Sequence, residues 1–212
     1  MWKGGSKEGW LIFWTPFDTA GLGKLTELEL LYLIDWTNQG TFPSELGQLT
    51  KLTIQVLDGN SISGTLPHEV FELTELTNLN VGSNQLQGTL PPALFSRLSH
   101  LQWIYINDNM ISCTIPAEVG QLSDARKLEF QNTKLSGTLP TEMLMLENLT
   151  SLVVTGTSLS GSIPEELCDK IYQKEMKCYG SPPCTVFRVN SNTTACHGTS
   201  LCGCDCGPCK PN

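Results

Sequence analysis

The chain has 212 residues, of which 40% are hydrophobic and only 16% are charged. Its 13 Lys and Arg stand against 21 Asp and Glu, which gives a formal net charge of −8. This acidity argues against nucleic acid and anionic membranes as partners, because both require a basic surface. No apolar segment is long enough to span a membrane.

The first 21 residues precede the regular pattern of the chain and are rich in aromatic side chains. They contain charges but no clean apolar run that ends in small residues, so no signal peptide is visible. We expect residues 1–21 to form an aromatic cap over the open end of the core, or to be a truncated or inaccurately assigned start. The aromatic residues are Trp2, Trp10, Phe13, Trp14 and Phe17.

Residues 22–167 contain six near-copies of one segment, which end in GTFP, GTLP, GTLP, CTIP, GTLP and GSIP. The prolines are 24, 24, 25, 24 and 24 residues apart. Such a period is typical of a solenoid, in which each coil buries its apolar face only against its neighbours. The sequence therefore predicts an α/β repeat protein. The prolines are Pro43, Pro67, Pro91, Pro116, Pro140 and Pro164.

Each copy has the same internal order, which is clearest in the third. Leu79 and Val81 alternate with polar residues, which predicts a short strand with both side chains pointing inward. Asn84 follows the strand, where its amide can satisfy backbone groups of neighbouring coils. The first copy has Trp36 at this position, as expected of an atypical terminal coil. The other five copies form a ladder of Asn60, Asn84, Asn109, Thr133 and Thr157.

The repeated pattern LxxLxxLxLxxNxLxGxIPxxLGxL resembles the plant-specific class of leucine-rich repeats. That class occurs in ectodomains of receptor-like kinases and receptor-like proteins, and in polygalacturonase-inhibiting proteins. The resemblance covers residues 22–167, roughly two-thirds of the chain. It implies a right-handed leucine-rich-repeat solenoid of about six 24-residue coils with a parallel concave sheet. The family's usual N-terminal cap, with a Cys pair around a Trp, is missing.

The residues that alternate with the inward leucines are predicted to face the concave sheet in columns, one residue from each coil. Trp103 and Tyr105 stand out there, because the core gives no reason for large aromatics and such residues anchor binding hot spots. The alternative is that the two rings only pack on each other and shield the sheet. The candidate binding residues are Tyr32, Trp103, Tyr105, Asp108, Arg126, Lys127 and Glu129.

Gln55 occupies a position where the repeat places an inward apolar side chain, while its neighbours Ile54 and Val56 are predicted to point outward. A one-residue slip turns each side chain of a strand to the other face. A local register shift that buries Ile54 and Val56 is therefore the alternative for this strand.

A hydroxyl residue follows each repeat glycine or its replacement and forms a column along one side of the solenoid. Regular Thr arrays resemble an ice-binding face, and some ice-binding proteins are built on related repeats. This column is only one residue wide, and Thr is common at exposed extended positions. Ice binding is therefore a minor alternative. The column contains Thr41, Thr65, Thr89, Thr114, Thr138 and Ser162.

Eight of the nine cysteines lie in residues 168–212, which predicts a disulfide-rich C-terminal cap of unassigned connectivity. A metal bound by the last four cysteines and His197 is a weaker alternative, and we favour no metal. Cys113 replaces a repeat glycine and is expected to be an unpaired, packed thiol. The cap cysteines are Cys168, Cys178, Cys184, Cys196, Cys202, Cys204, Cys206 and Cys209.

The remaining motifs favour export and recognition over catalysis. Two sequons, at Asn148 and Asn192, fit a secreted glycoprotein. No arrangement of a nucleophile with a base and no phosphate-binding glycine loop is evident, so we expect neither an enzyme nor a cofactor. We expect an extracellular or cell-surface module that binds a protein, peptide or glycan. The alternatives are a receptor-kinase ectodomain fragment and a secreted inhibitor of wall-degrading enzymes. The oligomeric state is not predicted.

Overall fold

The computed structural model describes residues 19–33, 40–161, 166–167 and 187–188. Along these residues the chain repeats one order of elements: a short strand, a second short strand and one helical turn. The helical elements are α1 (Thr19–Leu22), η1 (Ser44–Gln48), η2 (His68–Glu72), α2 (Pro92–Arg97), η3 (Ala117–Gln121) and η4 (Thr141–Met145), where η denotes a 3₁₀ helix. The strands are β1 (Leu30–Tyr32), β2 (Gly40–Thr41), β3 (Ile54–Val56), β4 (Ile62–Gly64), β5 (Asn78–Asn80), β6 (Gln85–Gly88), β7 (Trp103–Tyr105), β8 (Met110–Ile111), β9 (Lys127–Glu129), β10 (Ser136–Gly137), β11 (Ser151–Val153), β12 (Ser158–Leu159) and β13 (Phe187–Arg188).

The strands form parallel sheets in which each coil pairs with the next. The large sheet has seven strands in the order β1-β3-β5-β7-β9-β11-β13. The second strand of each coil belongs to smaller parallel sheets. In these sheets β2, β4, β6 and β8 pair in that order, and β10 pairs with β12. The predicted solenoid with a parallel sheet is confirmed. The last strand of the large sheet, β13, comes from the segment in which the sequence places the cap.

The core lies between the large sheet and the helical turns. Each turn except α1 begins directly after a proline with φ between −67° and −75°, which ends the preceding extended segment. The central residue of every strand from β1 to β11 in the large sheet is fully buried. Because the strands pair in register, the flanking residues of each strand stack in columns on the opposite, concave face.

Asn84 joins the backbones of two successive coils. Its Nδ2 donates to the carbonyl oxygens of Val81 (3.1 Å) and Gly82 (2.8 Å) in its own coil. The same amide nitrogen reaches the carbonyl oxygen of Leu57 in the preceding coil at 2.8 Å. Its Oδ1 accepts a hydrogen bond from the backbone N–H of Ile62 at 3.0 Å. One buried side chain thus satisfies four backbone groups.

The ladder continues in the coils that follow Asn84, first with asparagine and then with threonine. Asn109 Nδ2 donates to three carbonyl oxygens at 3.0–3.1 Å, and its Oδ1 accepts from the N–H of Leu86 at 2.8 Å. Thr133 and Thr157 each donate to one carbonyl oxygen of their own coil at 2.7 Å. At Thr133 the hydroxyl makes no hydrogen bond to the preceding coil among the described residues, whereas the amide of Asn109 does.

Gln55 remains in the inward register, so the alternative of a local register shift is wrong. It pairs with Leu31 on β1 and Leu79 on β5, and these backbone ladders hold the strand in phase with its neighbours. Ile54 and Val56 stay partly exposed on the concave face. Gln55 is 0% exposed, and neither atom of its amide has a hydrogen-bond partner among the described residues.

Several predicted features lie outside the described residues. These are the aromatic residues of the start, Trp36 of the first copy, the cap cysteines and the sequon at Asn192. Cys113 lies within them as a partly buried free thiol, as predicted. Its sulfur accepts a hydrogen bond from the N–H of Leu90 at 3.3 Å, and burial raises the pKa of the thiol.

Candidate recognition surface

Trp103 and Tyr105 lie side by side on β7 and face the concave side of the large sheet. Both are partly exposed, whereas Ile104 between them is fully buried. We call these two aromatic residues the aromatic patch. Its ladder partners are Asn78 and Asn80 on β5, and Lys127 and Glu129 on β9.

The side of the patch towards β9 is rich in hydrogen-bond acceptors. Burial, and secondly the charge of Glu129, raise the pKa of Tyr105, so its phenol is neutral at physiological pH and can donate a hydrogen bond. Gln131 Nε2 lies 3.5 Å from Glu129 Oε2. The Gln131 Oε1 atom is buried and has no hydrogen-bond partner among the described residues.

Asp108 lies at the turn that leaves β7, with φ at +52°. Short polar side chains tolerate this left-handed conformation better than most residues. The carboxylate accepts hydrogen bonds from Nδ2 of Asn107 and Nδ2 of Asn132, each at 2.7 Å. Asp108 therefore holds the amides of two successive coils in a defined orientation.

The other candidate residues are not all close to the aromatic patch. Lys127 is exposed next to Trp103, and Arg126 is exposed just before β9. Tyr32 is in the same column as Tyr105 but three strands away, about 14 Å at the usual strand spacing. The structure thus brings together Trp103, Tyr105, Lys127 and Glu129, and it separates Tyr32 from them.

The sequence analysis did not single out Gly82, which lies on the concave side just beyond β5. A Cβ atom on Gly82 would lie 2.7 Å from Asn107 Oδ1 and 2.8 Å from Asp58 Oδ1. The two side-chain oxygens, from the coils on either side, therefore converge above the glycine. We call this arrangement of Asp58, Gly82 and Asn107 the Gly82 notch. The sequence signal was a glycine between an aspartate and an asparagine in one concave column.

The sequon at Asn148 is exposed on the approach to β11. Asn148 Nδ2 donates to the carbonyl oxygen of Ser123 at 2.9 Å, and Thr150 Oγ1 donates to that of Arg126 at 3.0 Å. In the folded chain both polar residues of the sequon are thus bonded to the preceding coil.

Sequence comparison gives the class of the protein. A profile described as leucine rich repeat matches residues 47–111, and a second leucine rich repeat profile matches residues 148–169. A comparison with curated proteins found no match. Within the described residues, no helix combines the length and the apolar character needed to cross a membrane.

Solved structures with this fold include several plant receptors. The ectodomain of the receptor kinase GASSHO1/SCHENGEN3 from Arabidopsis thaliana, in complex with CASPARIAN STRIP INTEGRITY FACTOR 2, has 30% identity and a TM-score of 0.69 over 75% of this chain. The Arabidopsis receptor kinase HAESA, in complex with the peptide hormone IDA and the co-receptor SERK1, has 31% identity and a TM-score of 0.65 over 70% of this chain. A plant ice-binding protein has 28% identity and a TM-score of 0.65 over 69% of this chain.

The coils and the open parallel sheet define a solenoid repeat protein. More narrowly, the chain has the leucine-rich-repeat fold and resembles the ectodomains of plant receptor kinases. It spans only part of these relatives, covering 19% of the GASSHO1/SCHENGEN3 chain, 25% of the HAESA chain and 46% of the ice-binding protein.

Proposed function

We propose that this chain is a non-catalytic, extracellular recognition module that binds a peptide or protein segment on its concave sheet. The observation that carries the proposal is the aromatic patch, two large side chains that point away from the core and remain partly exposed. Similarity to receptor ectodomains solved with peptide hormones and other ligands supports this function.

The chemistry of the patch suits an extended peptide. Trp103 and Tyr105 offer rigid apolar surface, which ligand side chains cover at a low cost in conformational entropy. The protonated phenol of Tyr105 is a donor for a peptide carbonyl, while Lys127 and Glu129 provide opposite charges at the border. Main-chain groups and side chains of one ligand segment can therefore be bound together across neighbouring strands.

Replacing Trp103 or Tyr105 with alanine is expected to weaken binding at least tenfold, because each truncation removes a central apolar contact worth more than about 1.4 kcal/mol. The ligands are peptides selected from a displayed random dodecamer library against the full chain, and their Kd values are measured by calorimetry. Met145→Ala is the matched control, because Met145 is 65% exposed on η4, opposite the sheet. Unchanged affinity in both patch variants, or an equal loss in the control, would contradict the proposal.

Ice binding is a second candidate, favoured by the exposed threonine column and by the similar ice-binding protein. The γ-methyl groups of Thr65 and Thr114 lie 2.8 Å and 2.9 Å from where a Cβ would stand on Gly88 and Gly137, so these threonines pack on the next coil. Packing alone therefore accounts for the column. Thermal hysteresis that Thr89→Lys abolishes would support ice binding, and no hysteresis in the unmodified chain would remove it. The column members described as exposed are Thr41, Thr65, Thr89, Thr114 and Thr138.

A further inference from the structure

The Gly82 notch presents two acceptor oxygens for which the described residues supply no donor. Asn107 Nδ2 is bonded to Asp108 Oδ2 at 2.7 Å, which fixes the amide so that its Oδ1 points towards the notch. Asp58 contributes a carboxylate oxygen from the opposite side, and its side chain forms no hydrogen bond or ion pair with the described residues. An oxygen of an amide and an oxygen of a carboxylate thus face the same space, and only a hydrogen-bond donor placed between them satisfies both.

The glycine of the notch is explained by space and not by backbone conformation. Gly82 does not have a positive φ, so other residue types can adopt its backbone conformation. A methyl group at this position would stand less than 3 Å from both Asn107 Oδ1 and Asp58 Oδ1. The missing side chain is what allows the two oxygens to converge.

The notch and the aromatic patch belong to one surface. Asn107 follows Tyr105 by two residues, and Gly82 is its equivalent in the preceding coil. At the usual rise per residue and strand spacing, the notch is therefore about 8 Å from Tyr105. In an extended ligand, residues two apart are separated by about 7 Å. A ligand with one residue on the patch can therefore place a long side chain in the notch.

We propose that the Gly82 notch receives the ammonium or guanidinium group of a Lys or Arg in a basic peptide that lies extended on the concave sheet. This assignment rests on the proposed function and names its ligand class. The cationic group supplies several N–H donors, and charge-assisted bonds to Asp58 Oδ1 are stronger than neutral ones. Charge complementarity near the notch favours the same ligand, because Asp58 lines it and Glu129 is the ladder partner of Tyr105, whereas Lys127 pairs with Trp103, two residues earlier on β7.

The test uses the full chain and the same displayed random dodecamer library. Peptides selected on the unmodified chain are expected to share a Lys or Arg at one position, and Asp58→Asn is expected to weaken them about tenfold. Gly82→Ala, which fills the notch without changing charge, is expected to weaken them similarly. Glu118→Gln on η3 removes one negative charge far from the sheet and is expected to have no effect. Thermal denaturation of each variant checks that it remains folded.

The outcomes separate this inference from the proposed function. Peptides that depend on Trp103 but show no shared basic residue, or keep their affinity in Asp58→Asn, would overturn the notch assignment and leave the recognition module intact. Basic peptides that depend on Asp58 but not on Trp103 would support the notch and overturn the role of the patch. A selection that yields no peptide dependent on either residue would overturn both.

Discussion

Replacing Asn84 with alanine is expected to lower the free energy of unfolding by about 3–5 kcal/mol. The substitution leaves the buried N–H of Ile62 without an acceptor, which costs about 1–3 kcal/mol. It also removes one of two hydrogen bonds from the carbonyl oxygens of Leu57, Val81 and Gly82, at about 0.5–1 kcal/mol each. Urea denaturation followed by circular dichroism measures the change.

Asn84→Thr is the matched comparison, because Thr133 and Thr157 occupy the same position in later coils. We expect it to lose about half as much stability as the alanine variant, since a hydroxyl retains a bond to its own coil but not the one to Leu57. A loss below about 1 kcal/mol in Asn84→Ala would mean that water replaces the amide without penalty, and that the ladder contributes little to stability.

Replacing Gln55 with leucine is expected to raise the free energy of unfolding by about 2–4 kcal/mol. An amide buried without hydrogen bonds is costly, and leucine fills nearly the same volume with apolar atoms. Leucine is also the residue that precedes and follows Gln55 in its column, at Leu31 and Leu79. The same urea denaturation measures this gain.

Gln121→Leu serves as the control for this prediction, since Gln121 is exposed at the end of η3 and its replacement buries no additional surface. Its effect is expected to stay within about 0.5 kcal/mol. Unchanged or lower stability of Gln55→Leu would show that the Gln55 amide is satisfied in solution, and the unpartnered state described here would be wrong.

The fold could be predicted because the repeat constrains each coil in the same way. Proline spacing sets the length of a coil, and inward leucines such as Leu79 set the register of its strand. At Gln55 the repeat determines the register of the strand, even though a polar side chain prefers to face water. The backbone ladders to both neighbouring strands keep it inward, although a slip would have exposed its amide to water.

The site could be predicted only in part, because the repeat gives the direction of a side chain and not its contacts. The alternation of inward and outward side chains along a strand is enough to predict that Trp103 and Tyr105 face outward. The Gly82 notch depends on the rotamers of Asp58 and Asn107, and the latter is set by a bond to Asp108 that no periodic pattern contains. Likewise, β13 comes from beyond the repeats, so spacing alone does not place it beside β11.

Recognition through the concave sheet is tested most directly by hydroxyl-radical footprinting of the full chain with a selected peptide. Mass spectrometry measures the oxidation of Trp103 and Tyr105 on the sheet and of Met145 on the opposite side, with and without the peptide. We predict that the peptide reduces oxidation of both aromatic residues severalfold and leaves Met145 unchanged. Protection of Met145 with equal oxidation of Trp103 and Tyr105 would place the ligand on the convex side and contradict recognition by the sheet.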